Sequence, residues 1–290
     1  HYLIVRLEAK SVNCWPNVDF DIGAINNFLG KFFPAGFYYK TFMWPKSFWY
    51  KVYEPIIRKA AGFGAASIKH DKEKYEHKYE YCDLLITGSG PSGLASAYAA
   101  AQNGAKVILA EDKSRFGGSL LTSEVTIGNQ SGQEWAEKII SELKSMPNVV
   151  VKNRSQVFGY YDHNMLVMSE RISDHLPKTE KYIPKQRLWY IRAKEVIISS
   201  GSIERPLVFG NNDTPGVMLS SAAKEYLKIY GVLVGKKPLV FTNNDSGYET
   251  AIEFKKNGID PIVLDTRKDP NSEIIKEAKA VSYTHLRAHE

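Results

Sequence analysis

The spacing of apolar residues predicts a βαβ unit in the first half of the chain. An apolar run at 82–87 predicts a strand, and a glycine-rich turn separates it from a helix of small residues at 92–102. Asn103 and Gly104 end this helix, and the apolar run at 106–110 predicts the next strand. Two strands joined by a helix are expected to lie parallel in one sheet.

The pattern changes after residue 148 and a βαβ pattern returns after Gly235. Short alternating runs predict an antiparallel meander that ends in a buried strand at 195–199; they lie at 149–152, 156–161, 165–169 and 187–191. A helix is expected at 220–230. The second βαβ unit is predicted from a strand at 238–242, a helix at 247–256 and a strand at 261–265.

The first 80 residues have a different composition. Residues 1–65 form an aromatic-rich wrapping segment, in which four prolines disfavour long regular elements: Pro16, Pro34, Pro45 and Pro55. Eleven of the 22 residues from Phe32 to Tyr53 are aromatic, so we expect this stretch to be buried, either in a core or at an interface with a partner subunit. Residues 66–80 gain Lys, Glu and His, which predicts a solvated linker.

The turn after the first predicted strand has the pattern of a dinucleotide-binding loop. Gly88-Ser89-Gly90-Pro91-Ser92-Gly93 is a GxGxxG motif between a strand and a helix. Gly88 permits the tight turn, Gly90 lets a pyrophosphate approach the backbone, and Gly93 lets helix and strand pack closely. Glu111 follows Gly88 by 23 residues, at the spacing of the acid that binds a ribose. We predict a dinucleotide site that disfavours NADP and fits NAD or the ADP half of FAD; a purely structural glycine turn is the alternative.

Two further segments extend this prediction. Gly117, Gly118 and Ser119 offer backbone N–H groups to a second phosphate or sugar, with a plain turn as the alternative. Residues 197–206, which include Gly201, resemble the strand-plus-glycine motif of flavoproteins with two dinucleotide-binding domains. The predicted fold class is therefore α/β, with two Rossmann-like domains of the pyridine nucleotide-disulfide oxidoreductase type and a β meander. The first domain is placed at 81–210, and 211–280 is the start of an incomplete second one.

The second βαβ unit has lost most of the binding pattern. Thr242, Asn244 and Gly247 occupy the positions of Gly88, Gly90 and Gly93, and Asp265 follows Thr242 by 23 residues. Asn244 places a side chain where a pyrophosphate needs bare backbone, and Asp245 adds a negative charge beside it. We expect this loop not to bind a dinucleotide in the usual way; a rearranged loop that still binds one is the alternative.

Composition and charge exclude several other classes of protein. The 290 residues have a net charge of +6, but basic and acidic residues alternate, so no nucleic-acid surface is predicted. The two cysteines and seven scattered histidines show no metal spacing, and no metal site is expected. The apolar runs are too short for a membrane span, and we expect a cytoplasmic protein.

Both ends of the chain are unusual. The chain begins with His1, and residues 2–7 already have the pattern of a strand, which suggests a truncated start. Residues 281–290 interrupt a helical pattern and resemble a translated adapter sequence, so we expect a non-native tail; a genuine helix is the alternative.

Four stretches resemble the alpha subunit of heterotetrameric sarcosine oxidase. They are residues 35–45 (AGFYYKTFMWP), 53–62 (YEPIIRKAAG), 214–218 (TPGVM) and 241–248 (FTNNDSGY). The resemblance covers roughly residues 11–280. The family also has a folate-binding part and a ferredoxin-like part, which this stretch lacks, so we expect the chain not to be active alone.

The resemblance implies an enzyme complex that oxidises sarcosine to glycine, releases hydrogen peroxide and passes a one-carbon unit to tetrahydrofolate. It implies NAD in the first site of the alpha chain, FAD and covalent FMN mainly on the beta chain, and gamma and delta chains as further partners. NAD is expected to be structural. The contacts implied by the resemblance are Ser92, Glu111, Asp112, Lys113, Ser119 and Val157.

No residue of the chain is predicted to be catalytic. Asp112, Lys113 and Arg205 are charged residues beside the predicted cofactor, and solvation or salt bridges explain them as well as chemistry does. Two other functions remain open: part of an FAD-dependent amine, opine or glycine dehydrogenase, and a scaffold that binds no nucleotide tightly.

Overall fold

The computed structural model describes residues 14–17, 19–32, 36, 42, 44–64, 68, 70–71, 73–177, 182–280 and 284–287. The chain divides into two units, residues 1–72 and residues 73–290. Within the described ranges, every helix is too short or too polar to span a bilayer. The strand expected at residues 2–7 lies outside these ranges.

The first unit is built from short helical turns. Its described α-helices are α1 (Ile25–Leu29) and α2 (Glu54–Ala60). A 3-10 turn (Lys46–Phe48) and a π turn (Trp49–Tyr53) lead into α2. Pro55 lies in the first turn of α2, where its missing N–H interrupts no intrahelical hydrogen bond.

The aromatic side chains of this unit are more exposed than the sequence suggested. Trp44 and Tyr50 are 84% and 83% exposed, and Phe48 is also exposed, whereas Phe42 and Tyr53 are half-buried and 5.2 Å apart between ring centroids. Burial in a core is therefore wrong for Trp44, Phe48 and Tyr50, and the alternative, burial at an interface with a partner subunit, stays a prediction. The physical reason is that short helical turns have too few apolar neighbours to cover so many rings.

The second unit is organised around a six-stranded mixed sheet. Its strand order is β5-β2-β1-β8-β7-β6. The strands are β1 (Tyr75–Thr87), β2 (Val107–Ala110), β5 (Val149–Lys152), β6 (Ser155–Tyr161), β7 (Met165–Arg171) and β8 (Gln186–Ile198). The first four in this order are parallel, and β7 and β6 continue antiparallel from β8. A short hairpin of β3 (Thr126–Ile127) and β4 (Gln130–Ser131) lies outside this sheet.

Two clusters of buried side chains cover the two faces of this sheet. On one face, Ile86 packs with residues of α3 (Pro91–Gln102) and α4 (Gly132–Ser145), such as Leu94 and Leu143. On the other face, Leu85 packs with residues of the meander, such as Met168 and Ile191. Neighbouring residues of β1 thus point to opposite faces, and both faces are apolar, as parallel strands require.

Helix α4 explains why β5 is not part of the meander. The expectation that residues 149–152 belong to the meander is wrong, because β5 pairs in parallel with β2. No helix was predicted between residues 111 and 148, although Ser131 and Glu134 form a capping box at the start of α4. Once a helix connects β2 to the next strand, that strand enters the sheet parallel.

The long pair of β1 and β8 corrects two other expectations. Residues 187–191 and 195–199 were predicted as separate strands, but β8 is one strand of 13 residues. Residues 75–80 were placed in a linker, but they form the first half of β1 and pair in parallel with residues 186–191. Charged residues alternate there with Tyr75, His77 and Tyr79, and the two tyrosines favour a strand in a stretch whose charge had suggested a linker.

A smaller parallel sheet follows. Its order is β11-β10-β9, from β9 (Leu239–Thr242), β10 (Ile262–Asp265) and β11 (Thr284–Arg287). Helices α5 (Ser220–Tyr230), α6 (Ser246–Lys256) and α7 (Glu273–Ala280) pack around it, with Tyr248 and Phe254 among the fully buried side chains. β11 lies within the stretch expected to be a non-native tail, and residues 281–283 and 288–290 lie outside the described ranges.

Candidate functional site

The glycine-rich turn between β1 and α3 is so tightly packed that two of its glycines have no room for a side chain. Gly88 has a φ of +97°, and a Cβ added there would lie 2.3 Å from the carbonyl oxygen of Ser199. A Cβ added at Gly93 would lie 2.0 Å from the carbonyl oxygen of Gly88. These contacts hold β1, α3 and the end of β8 together at one point.

Gly90 differs from its two neighbours because it faces open space. A Cβ added there would meet no heavy atom within 4 Å. Gly90 is the N-cap of α3, no side chain caps that helix, and Pro91 opens it. The free N–H groups and the positive end of the helix dipole therefore adjoin a space that an anion can enter. A pyrophosphate fits this arrangement.

Glu111 connects the end of β2 to this turn. Its side chain is buried, with 8% exposed, and one carboxylate oxygen accepts hydrogen bonds from the backbone N–H and the hydroxyl of Ser89 at 2.9 and 2.5 Å. The other oxygen accepts from the backbone N–H of Lys113 at 2.9 Å. A carboxylate has about four acceptor positions, so Glu111 retains capacity for a ribose hydroxyl.

The glycine pair after Glu111 packs on the same turn. The backbone N–H of Gly117 donates to the carbonyl and to the hydroxyl oxygen of Ser89, at 3.1 and 3.2 Å. A Cβ added at Gly118 would lie 2.9 Å from the Cα of Gly90. Ser89 is fully buried and contacts both Glu111 and Gly117. The sequence analysis assigned no role to Ser89. Its position inside the GxGxxG motif is the one feature of the sequence that could have indicated these contacts.

The remaining predicted site residues lie at different distances from this centre. Ser92 is exposed in the first turn of α3, Ser119 is exposed beside Gly118, and Gly201 is exposed with a φ of +70°. Asp112 and Lys113 are exposed after Glu111, and the carbonyl of Asp112 accepts from Arg171 at 2.5 Å. Val157 lies in β6, half-buried against the core on the meander face.

The second βαβ unit repeats the packing of the first. A Cβ added at Gly247 would lie 2.6 Å from the Cβ of Thr242, as Gly93 approaches Gly88 in the first unit. The side-chain oxygen of Asn244 accepts from the backbone N–H and the hydroxyl of Ser246, at 2.9 and 2.6 Å. A side chain of the protein therefore occupies the start of α6, the position that is open at Gly90.

The carboxylate at the end of β10 already accepts hydrogen bonds from other side chains of the protein. Asp265 is 1% exposed and accepts from the hydroxyl of Tyr248 at 2.7 Å and from the guanidinium of Arg267 at 2.8 Å. Arg267 pairs with Asp245 as well, at 2.8 Å. Burial raises the pKa of Asp265, but the hydrogen bonds from Arg267 and Tyr248 outweigh burial and hold the pKa below its ordinary value.

The fold and the glycine-rich turn are those of a dinucleotide-binding domain of the Rossmann-like class. The family described as FAD dependent oxidoreductase matches residues 83–165. The crystal structure of L-proline dehydrogenase from P. horikoshii has the same fold, with a TM-score of 0.54 and 23% identity; the similarity covers 71% of this chain and 40% of that chain. The predicted α/β fold class is confirmed.

Within this class, the chain is homologous to the alpha chains of sarcosine oxidases. It is 48% identical to the sarcosine oxidase alpha chain of Rhizobium meliloti (strain 1021) over 262 residues, which are 90% of this chain and 26% of that one. One of the opine oxidase chains of Agrobacterium tumefaciens (strain Ach5) is 26% identical over 205 residues, which are 66% of this chain and 38% of that one. The chain thus spans about a quarter of the sarcosine oxidase chain it matches, and the resemblance inferred from the sequence is confirmed.

Proposed function

We propose that this chain is the NAD-binding part of the alpha subunit of a heterotetrameric sarcosine oxidase. The complete complex, with beta, gamma and delta subunits, would convert sarcosine, tetrahydrofolate and oxygen to glycine, 5,10-methylenetetrahydrofolate and hydrogen peroxide. The observation that carries the proposal is the 48% identity over 90% of the chain. FAD, FMN and the oxidation of sarcosine are assigned mainly to the partner subunits.

NAD is assigned to the turn at Gly88–Gly93. The open space at Gly90 and the uncapped start of α3 would receive the pyrophosphate, and the buried carboxylate of Glu111 would accept from a ribose hydroxyl. A nicotinamide dinucleotide supplies hydride-transfer chemistry when it turns over. The further proposed contacts are Ser92, Asp112, Lys113, Gly117, Gly118, Ser119, Val157 and Gly201.

The second βαβ unit favours a structural role for NAD. A reductase that passes hydride from a nicotinamide dinucleotide to FAD needs two open sites in such a fold. Here Asn244 occupies the start of α6, and Arg267 and Tyr248 occupy the carboxylate of Asp265. The chain would therefore hold one dinucleotide as part of its fold.

A second candidate function is that of a chain in an FAD-dependent amine, opine or glycine dehydrogenase or oxidase. The similarity to the opine oxidase chain and the match to the FAD dependent oxidoreductase family favour it. In that case FAD would occupy the turn at Gly88–Gly93, and the redox chemistry would take place on this chain.

The proposal is tested by substrate oxidation in the assembled complex. We expect the chain, produced with its partner subunits, to give a complex that releases hydrogen peroxide from sarcosine and oxygen. Under anaerobic conditions sarcosine should bleach the flavin absorbance without the appearance of the near-ultraviolet band of NADH, because structural NAD is not reduced. Oxidation of an opine but not of sarcosine would contradict the proposal.

A further inference from the structure

An ion pair joins the first nucleotide site to a distant helix. The ammonium of Lys113 lies 2.7 Å from both carboxylate oxygens of Glu225, which belongs to α5. Lys113 follows Glu111 by two residues, whereas Glu225 is 112 residues further along the chain. The pair therefore brings a charge from the second half of the chain next to the first site.

The backbone of Lys113 is fixed independently of this ion pair. Its N–H donates to Glu111 at 2.9 Å, and its carbonyl accepts from the N–H of Arg154 at 3.0 Å. The side chain of Lys113 thus leaves the backbone at a constant position beside Glu111. A substitution of Glu225 would therefore leave the ammonium of Lys113 without its counter-charge but would not move the backbone of Lys113.

We propose that Glu225 is a specificity-determining residue of the first nucleotide site. This inference rests on the proposed binding of an adenine dinucleotide there. NAD and NADP differ at the ribose 2′ position, where an acid repels the 2′-phosphate and a free cation attracts it. By pairing with Lys113, Glu225 removes the attraction that Lys113 would exert, and Glu111 and Asp112 are left to exclude NADP.

The surface position of the pair makes this role separable from folding. The side chains of Lys113 and Glu225 are 53% and 30% exposed. Exposed ion pairs contribute little to stability because solvent screens them. The fold should therefore tolerate their replacement, and the effect should appear in the choice of nucleotide.

The test is the ratio of the NADP and NAD dissociation constants, measured by calorimetry on nucleotide-free protein assembled with its partner subunits. We expect Glu225→Gln to lower the ratio Kd(NADP)/Kd(NAD) by about three- to fivefold, the range of a surface charge pair. In the Lys113→Gln background, the same substitution should no longer lower the ratio. The matched control is Glu249→Gln, which removes a carboxylate 3.0 Å from Lys224 and should leave the ratio unchanged.

Two results would overturn the inference while the proposed function stands. The first is that wild type and Glu225→Gln both bind NAD and have the same ratio Kd(NADP)/Kd(NAD). The second is that Glu249→Gln lowers this ratio as much as Glu225→Gln does. Wild-type protein that binds neither nucleotide would overturn the proposed function itself, and the inference with it.

Discussion

The hydroxyl of Ser89 donates a 2.5 Å hydrogen bond to the carboxylate of Glu111, and both side chains are buried. This contact closes the turn at Gly88–Gly93 against the end of β2. The same hydroxyl oxygen accepts from the N–H of Gly117, so Ser89 connects three segments of the proposed nucleotide site. The site is held together by hydrogen bonds among its own residues.

Ser89→Ala should destabilise the chain by about 2 kcal/mol, because it removes one hydrogen bond to a buried carboxylate and one to a backbone N–H. Urea denaturation of the wild type and the variant measures the difference. The control is Ser145→Ala, which removes an exposed hydroxyl that donates to the carbonyl of Glu142. Equal midpoints for Ser89→Ala and wild type would show that the contact contributes nothing.

Alanine at Gly90 should mainly weaken nucleotide binding, whereas alanine at Gly93 should mainly lower stability. Gly93→Ala places a Cβ 2.0 Å from the carbonyl of Gly88 and should cost about 3 kcal/mol of stability. Gly90→Ala meets no atom and should cost about 1 kcal/mol or less, but it should weaken nucleotide binding because its Cβ fills the approach to the backbone.

Urea denaturation and NAD titration of the two variants separate these effects. Gly235→Ala is the control, since its added Cβ also meets nothing within 4 Å and it lies outside the turn. Wild-type affinity for NAD in Gly90→Ala would argue against a pyrophosphate at this position.

Asp265 should make the stability of the chain sensitive to acid. Burial raises the pKa of Asp265, but hydrogen bonds from Arg267 and Tyr248 outweigh it and keep the folded-state pKa below the unfolded value of about 3.9. A carboxyl with a lowered pKa contributes stability above the unfolded value, and this contribution is lost as the pH falls through the folded value. Asp265→Asn should cost about 3 kcal/mol at pH 7, because Arg267 loses a buried partner.

The pH dependence distinguishes this account from a simple packing defect. As the pH falls below about 4, the difference in unfolding free energy between wild type and Asp265→Asn should shrink, because the unfolded wild type then binds a proton at Asp265 that the folded wild type still excludes. Asp260→Asn, at an exposed carboxylate paired with Lys255, is the control and should show a smaller difference near neutral pH. A difference that stays constant down to about pH 3 would contradict the role of the Asp265 charge.

The local part of the site could be predicted from the sequence. Gly88, Gly93 and Glu111 are fixed by a motif whose spacing reflects the geometry of one βαβ unit, and the structure brings them together as that geometry requires. The equivalent packing of Gly247 on Thr242 followed from the same spacing.

The rest depends on contacts between distant segments, which a local pattern does not contain. Glu225 lies 112 residues after Lys113 in the sequence, and the two side chains meet only through the tertiary fold. Residues 149–152 alternate like a meander strand, and only the crossover through α4 makes β5 parallel. Aromatic residues such as Trp44 and Tyr50 are typical of a protein core. Their burial also requires apolar neighbours, which the described part of the chain does not supply.

The identity of the bound nucleotide tests the central claim most directly. The chain, purified alone or with its partner subunits, would be denatured, and the released nucleotide identified by chromatography and mass. Because the turn at Gly88–Gly93 offers one dinucleotide site and the second βαβ unit is occupied by its own side chains, we predict about one NAD per chain and a colourless chain when it is separated from its partners. FAD released from a yellow chain would contradict the account and place the redox chemistry on this polypeptide.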